Sequence, residues 1–177
     1  MSPIRIGVVG VGHLGKIHAR LLRSQPDARL AAVADVHPPN LEFAARTHGV
    51  PGLSDYRELL GKVDGVCVAV PTEQHRAVAG FFLEHGVDVL VEKPIAGTVA
   101  EGRELVALAA RHGRVLQVGH VERFNPALRA LHELGIEPRY IPPSSPQDNG
   151  RHERMHRTLK AETTRPPAAC WQQQQVR

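Results

Sequence analysis

Residues 4–15 read IRIGVVGVGHLG, an apolar, β-rich run that enters a glycine turn and opens a helix. The glycines have GxGxxG spacing: the first permits the tight turn, the second lets the backbone approach a pyrophosphate, and the third lets helix and strand pack closely. The phosphates are then expected against the free N–H groups at the positive end of the helix. The candidate cofactor-binding residues of this stretch are Gly10, Gly12, His13, Leu14 and Gly15.

Asp35 supports the same interpretation, because it lies 20 residues past Gly15 at the end of the apolar run LAAVAD. A carboxylate there can accept hydrogen bonds from an adenosine ribose. Val36 and His37 follow, with no adjacent arginine to receive a 2′-phosphate, and an ionised aspartate repels that phosphate. NAD(H) is therefore the expected cofactor in preference to NADP(H), and a partly protonated His37 would weaken the preference.

Strand and helix patterns alternate along the first part of the chain. Strands are predicted at 4–10, 30–35, 65–70, 88–94 and 115–119, and helices at 13–23, 41–49, 55–60, 73–86, 99–113 and 121–134. Ser54, Thr72 and Thr98 are expected N-caps, and Gly49 a C-cap. The alternation predicts an α/β fold of Rossmann type, a doubly wound parallel sheet that binds ligands at the carboxyl ends of its strands.

Two further loops follow predicted strands and carry polar side chains. Val70-Pro71-Thr72, with His75, comes after GVCVAV, and Glu92-Lys93-Pro94 comes after DVLV. A lysine at the carboxyl end of a strand, in a loop stiffened by proline, can reach a nicotinamide or a substrate hydroxyl. A surface salt bridge is the alternative role for this lysine.

Four motifs in order, GVVGVGHLGKIHA, AVPTEQHRAVA, VEKP and VGHVERFNPA, resemble the cofactor domain of the glucose–fructose oxidoreductase / inositol dehydrogenase (Gfo/Idh/MocA) family over residues 3–130. VGHVERFNP is similar to the branch that contains UDP-N-acetylglucosamine 3-dehydrogenases. The resemblance implies an NAD-dependent dehydrogenase that transfers hydride to or from a sugar or nucleotide-sugar hydroxyl. By this resemblance the cofactor is bound by Gly10, Gly12, Gly15 and Asp35 and lined by Pro71, Thr72 and His75. Glu92 and the catalytic Lys93 approach the nicotinamide and the substrate by the same resemblance. Arg123 and Asn125 are expected to border the site.

Family members continue into a second α/β domain that builds the substrate pocket and usually supplies a histidine acid/base. No stretch of this sequence resembles that domain, so a truncated, catalytically impaired oxidoreductase is expected. The apolar residues of VERFNPALRALHEL would normally meet the second domain. Exposure of these residues predicts self-association.

A second signature begins near Leu134, where residues 134–168 resemble the end of the catalytic core of insertion-sequence transposases and retroviral integrases. The resemblance matches Glu153 to the last carboxylate of a metal triad, but one carboxylate cannot hold the metal pair, so no metal site is expected. The net charge of +4 lies entirely in residues 138–177, with seven basic and three acidic side chains. Arg151, Arg154, Arg157 and Lys160 predict weak, salt-sensitive nucleic-acid binding, and a disordered tail is expected from Arg165.

The chain of 177 residues is therefore expected to contain a cofactor domain at 1–130 and an appendage at 131–177. Two cysteines form no disulfide framework, and neither a signal peptide nor a membrane span is evident, so a cytoplasmic location is expected. Three interpretations remain open. They are an NAD-binding oxidoreductase domain, a nucleic-acid-binding fragment derived from a transposase, and an inert gene fusion.

Overall fold

A computed structural model of the chain describes residues 2–135. The chain divides into two compact units, Met1–Arg123 and Phe124–Arg177, and the second is described only as far as Gly135. The integrase-like segment, including the position of Glu153 and the basic side chains around it, lies outside the described residues. Within residues 2–135 no helix is long and apolar enough to cross a membrane.

The first unit is an α/β fold in which strands and helices alternate. Its strands are β1 (Ile4–Val9), β2 (Ala28–Ala34), β3 (Gly52–Leu53), β4 (Gly65–Val68), β5 (Asp88–Val91) and β6 (Leu116–Val118). Its α-helices are α1 (His13–Leu22), α2 (Pro38–His48), α3 (Thr72–Glu84) and α4 (Val99–His112). Short 3₁₀ helices span Tyr56–Leu59 and Val121–Phe124, and the second unit contributes α5 (Pro126–Glu133).

All six strands are parallel and lie in the order β3-β2-β1-β4-β5-β6. From β1 the chain winds outward through β2 and β3, then returns to the other side of β1 and winds outward through β4, β5 and β6. The order reverses between β1 and β4, and the crevice at the carboxyl ends of these two strands is where dinucleotides bind in folds of this order. The predicted Rossmann-type parallel sheet is confirmed.

Two apolar clusters show that helices cover both faces of the sheet. One cluster joins Val78 and Phe82 of α3 and Leu105 of α4 to β1, β4 and β5. The other joins Ala19 of α1 and Ala44 of α2 to β1 and β2. Every residue of β4 is buried, as its uninterrupted apolar run predicts for a strand packed on two faces.

Two predicted helix caps are wrong. Thr72 is the first residue of α3 rather than its cap, and the preceding Pro71 makes no side-chain bond to the helix. The helix predicted from residue 55 is a 3₁₀ turn, and its cap is Asp55, whose carboxylate accepts from the Arg57 amide, rather than Ser54. Aspartate is as strongly favoured at this cap position as serine, so the carboxylate one position later serves as the cap.

The caps predicted at Thr98 and Gly49 are confirmed. The Thr98 hydroxyl accepts a hydrogen bond from the Glu101 amide, and the Glu101 carboxylate accepts one from the Thr98 amide, so that α4 begins with a complete capping box. Gly49 ends α2 with φ of 65°, a left-handed conformation that glycine adopts without steric cost.

The helix predicted over residues 121–134 is interrupted. The structure has a 3₁₀ turn at Val121–Phe124 and a separate α5 that begins at Pro126. A proline disfavours the helical conformation in the residue before it, so Asn125 cannot continue a helix. The Asn125 side chain instead accepts a hydrogen bond from the Ala127 amide, as an N-cap residue does.

Candidate functional site

The turn after β1 accepts only glycine at two of its three glycine positions. Gly10 has φ of +83°, and a Cβ added there would lie 2.7 Å from the Ala69 carbonyl oxygen. A Cβ added at Gly15 would lie 1.7 Å from the Gly10 carbonyl oxygen. The first and third glycines of the motif therefore let the turn form and let α1 pack against it.

Gly12, the second glycine, faces open space. It is the N-cap residue of α1, and a Cβ built there would meet no atom within 4 Å. No side chain caps the helix, and its first turn carries no acidic residue. The first amides of a helix have no partner within it, and their dipole attracts anions. The open space at Gly12 and the uncapped helix end together fit a pyrophosphate, and His13 and Leu14 lie exposed beside it.

Asp35 follows β2 at the same edge of the sheet. Its Oδ2 accepts a hydrogen bond from the Val11 amide at 2.7 Å, and its Oδ1 accepts one from the His37 amide at 2.8 Å. The carboxylate thus joins the glycine turn to the start of α2. An ionised carboxylate has about four lone-pair positions, so two bonds leave capacity for a ligand hydroxyl.

The loops after β4 and β5 are joined by His75, whose side chain is 1% exposed. Its Nδ1 lies 2.8 Å from the Pro94 carbonyl oxygen, and its Nε2 lies 3.0 Å from the Val70 carbonyl oxygen. Pro71 is exposed, and Thr72 is half-buried, in the loop that this histidine supports. His75 is therefore placed to support the site rather than to contact a ligand in open solvent.

Glu92 and Lys93 differ in their surroundings although they are adjacent. Glu92 is 7% exposed, and its Oε1 lies 2.8 Å from Nε2 of His18 on α1. Its Oε2 accepts a hydrogen bond from the Lys93 amide at 3.2 Å. The Lys93 side chain is exposed, and its ammonium has no bonding partner among residues 2–135. Lys93 is thus the member of the pair that is able to reach a ligand.

His18 was not predicted as a site residue. It lies three residues after Gly15, which places both on one face of α1, toward the strands. The three-residue spacing from Gly15 was the sequence feature that could have identified His18 as a site residue. Its partner, Glu92, is 74 residues away in the chain, and sequence spacing alone cannot pair them.

Arg123 and Asn125, expected at the border of the site, belong to different compact units. Arg123 ends the first unit and is exposed in the 3₁₀ turn, whereas Asn125 caps α5 in the second. Their expected role at the site stays a prediction.

A cavity of about 840 Å³ lies at the opposite, amino-terminal edge of the sheet. Of its charged lining residues, Arg5 and Asp64 form a salt bridge of 2.6 Å. The Arg5 hydrogen bond lowers the pKa of Asp64 to about 2. Since none of the residues predicted at the cofactor site lines this cavity, it is separate from the crevice at the carboxyl ends of the strands.

The sheet order, the glycine turn and the acidic residue after β2 define a dinucleotide-binding Rossmann domain. Residues 4–120, more than half of the chain, match the Gfo/Idh/MocA oxidoreductase family, which has an NAD-binding Rossmann fold. The chain belongs to this family. Residues 134–176 match a different family, the integrase core domain.

Similar proteins agree with this assignment. UDP-N-acetylglucosamine 3-dehydrogenase of Acidithiobacillus ferrooxidans is 36% identical over 148 residues, which are 80% of this chain and 45% of that enzyme. The structure of GenD2 from gentamicin A biosynthesis, in complex with NAD, is 31% identical with a TM-score of 0.73, over 76% of this chain and 39% of that one. The structure of scyllo-inositol dehydrogenase of Lactobacillus casei, with NAD(H) and scyllo-inositol bound, is 29% identical with a TM-score of 0.69. This match covers 76% of this chain and 42% of that one. The chain spans less than half the length of these relatives.

Proposed function

We propose that the first unit binds NAD(H) extended along the carboxyl edge of the sheet. The open, uncapped N-terminus of α1 at Gly12 carries this proposal. Asp35, after β2, lies on one side of it, and Lys93, after β5, lies on the other. Neighbouring strands are about 4.8 Å apart, so three spacings place these two residues about 14 Å apart along the edge. Adenosine then lies toward Asp35 and nicotinamide toward Lys93.

The reaction class is hydride transfer at a hydroxyl of a sugar or nucleotide sugar. Bound NAD supplies the hydride acceptor for such an oxidation. In this proposal the Lys93 ammonium donates a hydrogen bond to the nicotinamide or the substrate hydroxyl, and its compact charge suits that role. The names of the relatives, a nucleotide-sugar dehydrogenase and an inositol dehydrogenase, support this substrate class.

A fluorescence titration with NADH tests the binding proposal. Gly12→Ala is the informative variant because its added Cβ meets no protein atom but enters the space assigned to the pyrophosphate. We expect its thermal midpoint to stay close to wild type while its affinity for NADH falls at least about tenfold. Wild-type protein that binds no NADH, or a Gly12→Ala variant with unchanged affinity, would contradict the proposed site.

Oxidation of UDP-N-acetylglucosamine or of an inositol, followed by NADH absorbance, tests the reaction class. Lys93→Met keeps the length of the side chain and removes its charge. Because the sequence predicts a catalytically impaired oxidoreductase, wild-type turnover is expected to be low, and Lys93→Met should fold and lose the turnover that remains. Turnover equal to wild type would remove Lys93 from the reaction, and NAD binding by a chain without turnover would restrict the proposal to cofactor binding.

A second candidate function, nucleic-acid binding, rests on the match of residues 134–176 to the integrase core domain. The chain's excess positive charge lies in residues 138–177, and such charge attracts phosphate backbones. Fluorescence anisotropy with labelled duplex DNA tests this function. Binding at low salt that weakens steeply with added salt is expected, and it should disappear when Arg151, Arg154, Arg157 and Lys160 are replaced by serine. Absence of binding at low salt would exclude this function.

A further inference from the structure

Three elements of the first unit meet at the Glu92 carboxylate. From α1, His18 Nε2 lies 2.8 Å from Oε1, and the side chains are 19% and 9% exposed. In this partly buried setting the imidazole N–H donates to the carboxylate, a charge-assisted hydrogen bond that is stronger than one between neutral groups. The contact ties the helix whose N-terminus carries Gly12 to the strand end that carries Lys93.

Gly119, just after β6, provides the space in which the carboxylate lies. Its amide donates a hydrogen bond to the Val91 carbonyl oxygen at 2.8 Å, which holds it beside the end of β5. A Cβ added at Gly119 would lie 3.2 Å from Oε2 and 3.3 Å from Oε1 of Glu92. Such contacts are tighter than an ordinary van der Waals approach, so any larger residue at position 119 would push on the carboxylate.

The backbone around Lys93 is held on both sides. On one side, the Lys93 amide donates a hydrogen bond to Glu92 Oε2 at 3.2 Å. On the other side, the carbonyl oxygen of the following residue, Pro94, lies 2.8 Å from His75 Nδ1. The Lys93 side chain itself is exposed. The loop is therefore held by its main chain while the ammonium remains available to a ligand.

We infer that His18, Glu92 and Gly119 form a clasp that positions Lys93 for the nicotinamide half of the cofactor. Glu92 is a positioning residue in this account, since both of its oxygens are engaged within the protein. This inference rests on the proposed NAD(H) site and deepens it.

The test compares two ligands that share adenosine and pyrophosphate, NADH and ADP-ribose, of which only NADH has a nicotinamide. Dissociation constants are measured for the full chain and for His18→Leu, which removes the hydrogen bond, and His18→Gln, whose amide can donate in its place. For His18→Leu we expect NADH to bind about tenfold more weakly and ADP-ribose to bind within about twofold of wild type. His18→Gln should recover most of the NADH affinity.

Gly119→Ala provides an independent variant, since it displaces the carboxylate without touching α1. We expect the same selective loss for NADH. His112→Leu, at an exposed position of α4, is the matched control and should bind both ligands as wild type does. If His18→Leu does not fold, the Gly119→Ala result alone decides whether the clasp positions Lys93.

Equal weakening of NADH and ADP-ribose would overturn the clasp and assign His18 to the packing of α1. Unchanged NADH affinity in both His18→Leu and Gly119→Ala would overturn it as well. Wild-type protein that binds neither ligand would refute the NAD(H) site itself, which is a distinguishable result because it appears before any variant is made.

Discussion

At the scale of single residues, Asp35 acts on both the protein and the proposed ligand. Its two oxygens accept bonds from the amides of Val11 and His37, and these bonds hold the carboxylate beside the glycine turn. A carboxylate held in this way can receive ribose hydroxyls with little further loss of side-chain entropy. The same charge disfavours a 2′-phosphate.

Replacing Asp35 by alanine should weaken NAD binding by roughly 1–3 kcal/mol, because hydrogen bonds to a charged group are lost. NADP binding should weaken less, since a repulsion is removed together with the bonds. Isothermal titration with both cofactors measures the two effects, with Asp27→Ala at an exposed position as the control. Unchanged NAD affinity in Asp35→Ala would remove Asp35 from the site.

The salt bridge between Arg5 and Asp64 predicts a specific dependence of stability on pH. The pKa of Asp64 is lowered to about 2 by its hydrogen bonds with Arg5. A carboxyl group whose folded pKa is depressed stabilises the fold above its unfolded value of about 3.9, and this contribution is lost as pH falls through the folded pKa. The thermal stability of Asp64→Asn should therefore approach that of wild type between about pH 4 and pH 2. A difference that stays constant across this range would contradict the assignment.

At the scale of elements, the starts of α3 and α4 show that a threonine before an apolar helical repeat does not by itself establish an N-cap. Thr98 and Thr72 each precede or open an apolar helical repeat, and both were predicted as caps. Only Thr98 makes the bond, accepting from the Glu101 amide, and the Glu101 carboxylate adds the second bond of a capping box. At α3 the helix begins one residue earlier than predicted, with Thr72 as its first residue.

Thr98→Ala should therefore lower the free energy of unfolding by about 1 kcal/mol, the usual cost of a lost N-cap. Thr72→Ala is the matched comparison, and since it removes no capping bond its effect should be smaller. Urea denaturation measures both. A larger loss for Thr72→Ala than for Thr98→Ala would contradict the capping geometry.

Most of the sheet could be predicted because buried parallel strands are uninterrupted apolar runs between turn residues. The two-residue β3 at Gly52–Leu53 was not predicted, since so short a strand carries no periodicity. At the site, Gly10 and Gly15 were identifiable because backbone geometry excludes other residues there. His18 was missed because its importance comes from a contact with a distant residue, which only the folded chain brings close.

At the scale of the whole molecule, the second unit exposes apolar side chains. Phe124 and Leu134, at the two ends of its described part, are 74% and 75% exposed, and Leu128 and Leu131 are partly exposed between them. Exposed apolar surface of this kind promotes association with other surfaces. Self-association through the second unit is therefore proposed for the full chain.

Light scattering over a range of concentrations tests self-association. The apparent mass should rise with concentration for wild type and rise less for the double variant Phe124→Ser/Leu134→Ser. Val36→Ser, which removes a single exposed apolar side chain from the first unit, is the control and should behave as wild type. A wild-type mass that stays monomeric at high concentration would contradict the proposal.

A thermal melt of the full chain with and without NAD tests directly whether the chain folds into a working cofactor domain. A ligand present at about 100 times its dissociation constant stabilises the folded state by about 2.7 kcal/mol. We predict a cooperative transition that NAD moves clearly upward. A cooperative transition that NAD leaves unmoved would mean a Rossmann fold without a working cofactor site, and would refute NAD binding by this chain.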